Sequence, residues 1–466
     1  MWNSAARMQN PLIKNIRALI DAELPPAVAK SRKSILTAYE EALVAVDPFL
    51  ITKRQLQTDG SMLRVAGSTF NLDRFRRVSV VGAGKAGAGM AAAVEDLLGE
   101  RIFEGCVNVS DRCGYCLKKL EIRVAGHPLP DTAGVDGAIR ISEIAERAES
   151  DDLLICLISG GGSSLLPLPA IPLTLSDKQQ VTSLLLRSGA SIDEINTVRK
   201  HLSAIKGGWL ARKAWPATML NLILSDVLND PLDFIASGPT VADSTTFADA
   251  LLVIEKYGLS ELVPAAVLCR LQQGVAGDIE ETPKPGDSCF GRVFNQVIAN
   301  NFMVKRAFKE NLQRQGFEVS LINVPVAGPI DVARDFFVEE LRKLAARRSE
   351  GSRMAIVAGG ELTLKVHGTG MGGRNQHLAL ALFESMRAYE GAFFAALSTD
   401  GIDGPTDASG AFVDASVIAT ADRLGLSQSD YLRRCDSYEF FRQAGGLVCT
   451  GYTGGNLNDL FVIMLT

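Results

Sequence analysis

The residues best equipped for chemistry sit in glycine-rich loops. Val81-Gly82-Ala83-Gly84-Lys85-Ala86-Gly87 follows a short apolar run and precedes an alanine-rich one. The G-x-G-x-x-G spacing is that of a dinucleotide fingerprint, in which a helix N-terminus holds pyrophosphate. Two details count against it. Lys85 stands where such a site usually keeps a small residue, and neither Glu104 nor Asp111 is placed as the ribose-binding acid expected about 20 residues on. A lysine at a helix N-terminus suits a small anion or a phosphoryl group in transfer. A packing turn with an exposed lysine would give the same pattern.

Ser159-Gly160-Gly161-Gly162-Ser163-Ser164 leaves the carboxyl end of another apolar run. Three successive glycines let adjacent amides point one way and form an anion nest, with serine hydroxyls beside it. The chain contains no G-x-x-x-x-G-K-[ST] loop. A third group runs from Asn196 through Arg199, Lys200 and His201 to Lys206-Gly207-Gly208, and Asp226, Asp230 and the turn at Gly238 follow. Asp226 and Asp230 suit Mg²⁺, which takes one or two carboxylates plus phosphate oxygens; as a helix cap or turn former, either would look the same. Downstream, Gly368–Gly373 opens onto Arg374, whose guanidinium can fork onto a carboxylate or phosphate. Asp400 lies in Ser398-Thr399-Asp400-Gly401-Ile402-Asp403-Gly404, and Asn456 in the segment 451–459.

Other chemistries find little support. The four histidines (His127, His201, His367 and His377) show no paired metal spacing, and there is no G-x-S-x-G elbow. Cys113 and Cys116 form the one C-x-x-C, without the second pair a zinc ribbon needs, so the cysteines read as structural. What remains is anion handling by amides, Lys and Arg, the equipment of phosphoryl transfer.

Strands alternating with helices must position these loops. Apolar runs at 77–81, 106–110, 122–125, 153–159, 219–225 and 293–299 read as strands, most of them separated by helical patterns such as 86–98. A helix over 31–46, stopped by Asp47-Pro48, is expected to pack on the first domain. A solvated stretch at 272–288 marks a boundary, after which strands recur at 318–323, 353–358, 392–398 and 460–464. The fold class is α/β: two α/β domains, 1–288 with a parallel sheet and 289–466, facing across a cleft.

Composition bounds the rest. The 466 residues are 47% hydrophobic and 22% charged, with a formal charge of −5, which gives no reason to expect a nucleic-acid partner. The uncharged stretch 153–176 is long enough to span a bilayer, but Gly160–Gly162, Pro167, Pro169 and Pro172 argue against a membrane helix. Arg7, Lys14 and Arg17 precede the first acid at Asp21, but without the Arg/Ser richness of a presequence. The expected compartment is cytoplasmic, with a mitochondrial one left open.

The ordered motifs GAGKAG (82–87), AGHPLPD (125–131), SGGGSS (159–164), INTVRKHLSAIKGG (195–208), SDVLNDPLDFIASGPTVAD (225–243), GMGGRNQ (370–376), STDGIDGPTDASGA (398–411) and GYTGGNLND (451–459) resemble those of the class II glycerate kinases (glycerate 2-kinases) along nearly the whole chain. The resemblance implies a Rossmann-like N-terminal domain, a C-terminal MOFRL domain, and ATP-dependent phosphorylation of D-glycerate to 2-phosphoglycerate with Mg²⁺. It carries the family's catalytic lysine and arginine onto Lys85 and Arg374. Further expected roles are Asp400 orienting the nucleophile and Asp226 on the metal. Gly82, Gly84, Ser159, Gly160, Gly161, Gly162, Ser163, Asn196, Arg199, Lys200, Gly238 and Asn456 are expected to bind the nucleotide. D-glycerate and ATP are the expected partners, a homodimer the assembly left open. Asn229, Tyr452 and Gly455 depart from the family's usual glycine, proline and threonine. The rival chemistry is NAD(P)-dependent reduction of hydroxypyruvate; a sensor that binds sugar phosphates without turnover is a third reading.

Overall fold

The computed structural model describes residues 11–21 and 23–466. Arg7 therefore lies outside the described residues. Two compact units emerge, one of residues 48–299 and one combining 1–47 with 300–466. This differs from a division at 288/289 on both sides. Residues 293–299 form an edge strand of the first sheet, and the N-terminal helix Pro26–Ala45 belongs to the unit of the C-terminal half.

The unit 48–299 starts with an antiparallel meander of β1 (Leu56–Asp59), β2 (Met62–Val65) and β3 (Ser68–Asn71). Its main sheet comprises β4 (Arg77–Ala83), β5 (Ile102–Val109), β6 (Glu121–Val124), β7 (Asp152–Ser159), β8 (Thr218–Leu224) and β9 (Val293–Ala299). Every pairing in it is parallel, in the order β6-β5-β4-β7-β8-β9. Numbered along the chain, that order is 3-2-1-4-5-6, the doubly wound arrangement, and it reverses between β4 and β7. β7 and β8 are buried at every residue. This is why both read as mainly apolar runs rather than alternating ones, with Asn221 the polar residue inside β8.

The other unit holds a mixed sheet: β10 (Glu318–Leu321), β11 (Val326–Pro329), β12 (Met354–Thr363), β13 (Ala392–Ser398), β14 (Gly410–Val413), β15 (Leu447–Val448) and β16 (Asp459–Leu465). The order is β10-β12-β16-β13-β14-β15 with β11 beside β12, and β16 runs antiparallel to both its neighbours. Phe337 fills the core under it, its ring 5.4 Å from those of both Phe394 and Phe461. The helix Pro26–Ala45 is tied here by Tyr39, whose hydroxyl donates to Ser398 O at 2.5 Å. Arg32 adds a buried two-point ion pair to Asp414, at 2.6 and 3.0 Å. Removing one member of such a pair costs roughly 3–5 kcal/mol, because the other charge stays buried alone. No helix among the described residues is long and apolar enough to cross a membrane.

Candidate functional site

The loops after β4 and β7 lie at the strand-order reversal, where open α/β sheets bind ligands. Their backbones are joined. Lys85 N donates to Gly160 O at 2.8 Å, and Ala86 N donates to Ser159 Oγ at 3.0 Å. Gly82 and Gly84 make this approach possible. A Cβ on Gly82 would fall 2.3 Å from Leu157 O, and one on Gly84, at φ +148°, would fall 2.0 Å from Ser159 Oγ. The two glycines are therefore accounted for by strand packing. The amides of Lys85, Ala86 and Gly87 are thus used within the fold, Gly87 N donating to Gly84 O at 3.1 Å. A dinucleotide fingerprint needs those amides for pyrophosphate, so the geometry disfavours the reductase reading.

In the glycine–serine loop Ser164 N donates to Gly161 O at 3.1 Å. Gly161 adopts φ +80° and caps the short turn Gly162–Leu165. A Cβ on it would fall 2.9 Å from His127 Cδ2 and 3.2 Å from Lys85 Cγ, so these two side chains flank it. His127 in this position was not foreseen, although the AGHPLPD motif carried the signal. Asp226, just past β8, lies against Gly160, where a Cβ would fall 2.0 Å from Oδ2. Ser163 Oγ and Ser237 Oγ are 2.9 Å apart, and Ser237 donates on to Asn196 Oδ1 at 3.1 Å.

Asn196 and Arg199 share a face of the helix Ile192–His201, whose start is fixed by a Ser191–Glu194 capping box. Lys200 is engaged elsewhere. Buried, it pairs with Asp243 at 3.3 Å and Asp233 at 3.7 Å, so its charge is balanced inside the fold. Gly238, at φ +60°, accepts Gly208 N at 2.8 Å and serves as a turn residue.

In the other unit Arg374 opens the helix Arg374–Ala381. Its Nε meets Asp459 Oδ2 at 2.6 Å and its Nη1 meets Glu361 Oε1 at 2.7 Å. Asn458 Nδ2 holds the other Glu361 oxygen at 3.1 Å. Asp459 is fully buried, and burial pushes its carboxyl up to about 6 despite the arginine. Asp403 replaces a side-chain cap, accepting Asn375 N at 3.0 Å and Gln376 N at 2.8 Å. Burial outweighs those bonds and raises Asp403 to about 7. Gly373 must be glycine here, since a Cβ would fall 2.2 Å from Asp403 Cγ. Asp400 Oδ1 accepts from Ser398 Oγ at 2.7 Å and Ile402 N at 3.1 Å, which fixes its rotamer. Asn456 Oδ1 accepts Asn458 N at 3.0 Å and thereby closes a turn. The acids around Arg374 escape sequence reasoning because they come from three separate strands or loops.

Residues 34–272 match a family described as a domain of unknown function (DUF4147), and residues 354–459 match the MOFRL family. A glycerate 2-kinase of Pyrococcus horikoshii is 38% identical over 91% of this chain and 95% of its own length. The D-glycerate 2-kinase of Thermotoga maritima is 40% identical, over 84% and 91%. The human glycerate kinase is 35% identical, over 92% of each. A crystal structure of a glycerate kinase from Thermotoga maritima superimposes with a TM-score of 0.81 at 35% identity, covering 94% of this chain and 100% of that one. At these identities and coverages the chain belongs to the glycerate kinase family.

Proposed function

We propose that this protein is an ATP-dependent glycerate kinase that phosphorylates D-glycerate at its 2-hydroxyl. The observation that carries the reading is the joined loop pair at the strand-order reversal. It closes off the dinucleotide cradle and leaves Lys85 beside the glycine–serine loop. In the reaction the 2-hydroxyl oxygen bonds to the γ-phosphorus of ATP, the bond to the β–γ bridging oxygen breaks, and the hydroxyl proton is released. Lys85 is assigned the charge on the transferring phosphoryl group, and Ser159–Ser164 the phosphates. Arg374, pre-oriented by Asp459 and Glu361, is assigned glycerate or the developing charge. Asp400, its rotamer fixed by Ser398 and Ile402, is assigned the orientation of the hydroxyl.

Mg²⁺ fits the same loops. Among the described residues no group of three or more His, Cys, Asp or Glu is arranged to hold a metal by itself. Asp226 against Gly160 offers one carboxylate, and Mg²⁺ commonly takes one or two alongside phosphate oxygens. When bound, the ion would neutralise phosphate charge.

The test is a coupled assay for ADP formation with D-glycerate, with the phosphorylated product assigned to the 2- or 3-isomer. ADP release and 2-phosphoglycerate are expected. Absence of ADP, or sustained NADH oxidation with hydroxypyruvate, overturns the reading.

A further inference from the structure

The unit 48–299 contains a group of buried cations whose charge no acid balances. Lys206 is 1% exposed, and its Nζ contacts one acceptor, Ala236 O, at 3.3 Å. Lys178, on the helix Leu175–Arg187, is 8% exposed and donates to Leu168 O at 3.3 Å. Arg199 is half-buried with no hydrogen-bond or ion-pair partner among the described residues. No carboxylate lies within ion-pair distance of these three among the described residues. Lys200, by contrast, has Asp243 and Asp233. Burial comes first in lowering both lysines, Lys178 to about 7, and the positive charge of Arg199 adds to both. A buried charge is ordinarily paired, since an isolated one is expensive to desolvate. Lys178, Arg199 and Lys206, with Arg270 whose charge also reaches Lys178, have no acid beside them among the described residues, so an anion from outside the chain would hold the two lysines protonated.

Hydrogen bonds tie this cluster to the glycine–serine loop. Leu168 O accepts Lys178 Nζ, Ser203 Oγ at 3.1 Å and Ala204 N at 3.1 Å, and Ser203 Oγ in turn accepts Lys206 N at 3.3 Å. Lys206 then supports Ala236, whose Cβ would lie 2.7 Å from a Cβ on Gly162. The next residue, Ser237, contacts Ser163 and Asn196, and Asn196 stands one helical turn before Arg199. Ala236, Ser237 and Gly238 have φ of +53°, +60° and +60°, a left-handed run in which non-glycine residues are held at a cost.

We propose that Lys178, Arg199 and Lys206 form an anion subsite continuous with Ser159–Ser164, which takes the polyphosphate chain of the nucleotide. Three cations match a chain carrying several negative charges better than they match a single carboxylate. The inference deepens the kinase reading and rests on it for the identity of the anion.

Inorganic tripolyphosphate is the direct probe. Calorimetric titration of the full chain with tripolyphosphate is expected to show binding that weakens at least 10-fold in Lys206→Met and in Arg199→Gln. The exposed substitution Lys256→Gln is expected to leave it unchanged. In turnover assays both variants are expected to raise KM for ATP at least 10-fold with KM for D-glycerate within 2-fold. Without ligand, Lys206→Met is expected to melt no lower than the parent protein, because a buried amine with no acid beside it has gone. A prop for Ala236 O alone would lower its melting temperature and leave tripolyphosphate affinity intact. Unchanged tripolyphosphate affinity in Arg199→Gln, whose side chain has no hydrogen-bond or ion-pair partner among the described residues, overturns the proposal. So does a loss confined to KM for D-glycerate. Failure of the parent chain to release ADP with D-glycerate sinks the kinase reading, while the titration still decides the anion site.

Discussion

The two units handle charge in opposite ways. In the unit 48–299, Lys178, Arg199 and Lys206 are buried or half-buried without acids. In the other unit a single Arg374 meets both Glu361 and Asp459, while Asp403 is buried against helix amides. The first arrangement is the one proposed above to take an anion from outside the chain. The second satisfies its charges internally and thereby fixes the direction in which Arg374 points. Charge left unbalanced favours ligand affinity, and charge balanced in place favours orientation, so the difference assigns affinity to the first region and geometry to the second.

The largest expected effect comes from breaking the balanced network. Arg374→Met leaves Asp459 buried without its counter-ion, and the loss should be about 3–5 kcal/mol. Because burial already lifts Asp459 to about 6, it takes up a proton below that pH and needs no partner. The destabilisation, read by denaturant unfolding, is therefore expected to be full at pH 8 and much smaller at pH 5. An equal loss at both pH values would show that the pair is not what the substitution removes.

Next is Lys85, proposed above to meet the charge on the transferring phosphoryl group. Lys85→Met should lower ADP release by about 10²–10³-fold, the scale of losing a donor to developing charge. The backbone bond from Lys85 N to Gly160 O is kept in this variant, so the join between the two loops should persist. A large loss of stability with turnover unaffected would reverse the assignment of roles.

Smaller again are the pH slopes, and here the two regions oppose each other. Asp403 and Asp459 hold protons in the folded state up to about 7 and about 6, whereas in the unfolded chain they release them near 4. Folding stability from these groups therefore falls as pH rises through roughly 4–7. Lys178 is lowered from 10.5 to about 7, so above that pH the unfolded chain binds the extra proton and stability from this group rises toward 10.5. Each group can contribute at most about 1.4 kcal/mol per pH unit. Subtracting variant from parent isolates each arm: Asp403→Asn should flatten the acid one, and Lys178→Met the alkaline one. A difference curve without slope in its window removes that group from the comparison.

The main sheets and the glycine loops were legible because their signals are local. Buried parallel strands are largely apolar runs, β4 and β7 leading into glycine loops, and β9 and β13 fall where their residues alone place them. The meander of β1–β3 was not legible, since strands of four residues with one or two buried positions carry no periodicity. The helix Pro26–Ala45 shows that it has a buried face but not which sheet receives it. Its partners, Ser398 and Asp414, are 359 and 382 residues away in sequence. Charge balance is hidden for the same reason. Lys200 and Lys206 look alike in the motif, yet Asp243, which neutralises Lys200, lies 43 residues further on.

The smallest expected effect concerns the loop after β8, where Asn229 and Asp230 adopt φ +66° and +56°. Asn229 stands where the family usually has glycine, and the left-handed backbone explains why both residues are accepted: glycine has no Cβ to clash, and asparagine tolerates this region better than other side chains. Asn229→Gly should then be nearly neutral, while Asn229→Ala should cost about 1–2 kcal/mol, seen as a fall of a few degrees in melting temperature. The strain matters to the comparison because Asp226, three residues earlier, belongs to the same loop, as do the left-handed Ala236 and Ser237 that contact Lys206 and Ser163. Among the described residues of the other unit the left-handed non-glycine residues are Cys435 and Asn458. If Asn229→Ala weakens tripolyphosphate binding as well as lowering the melting temperature, the strained loop and the unbalanced cations act as one binding surface. A fall in melting temperature with binding unchanged would confine the subsite to the cations and the glycine–serine loop.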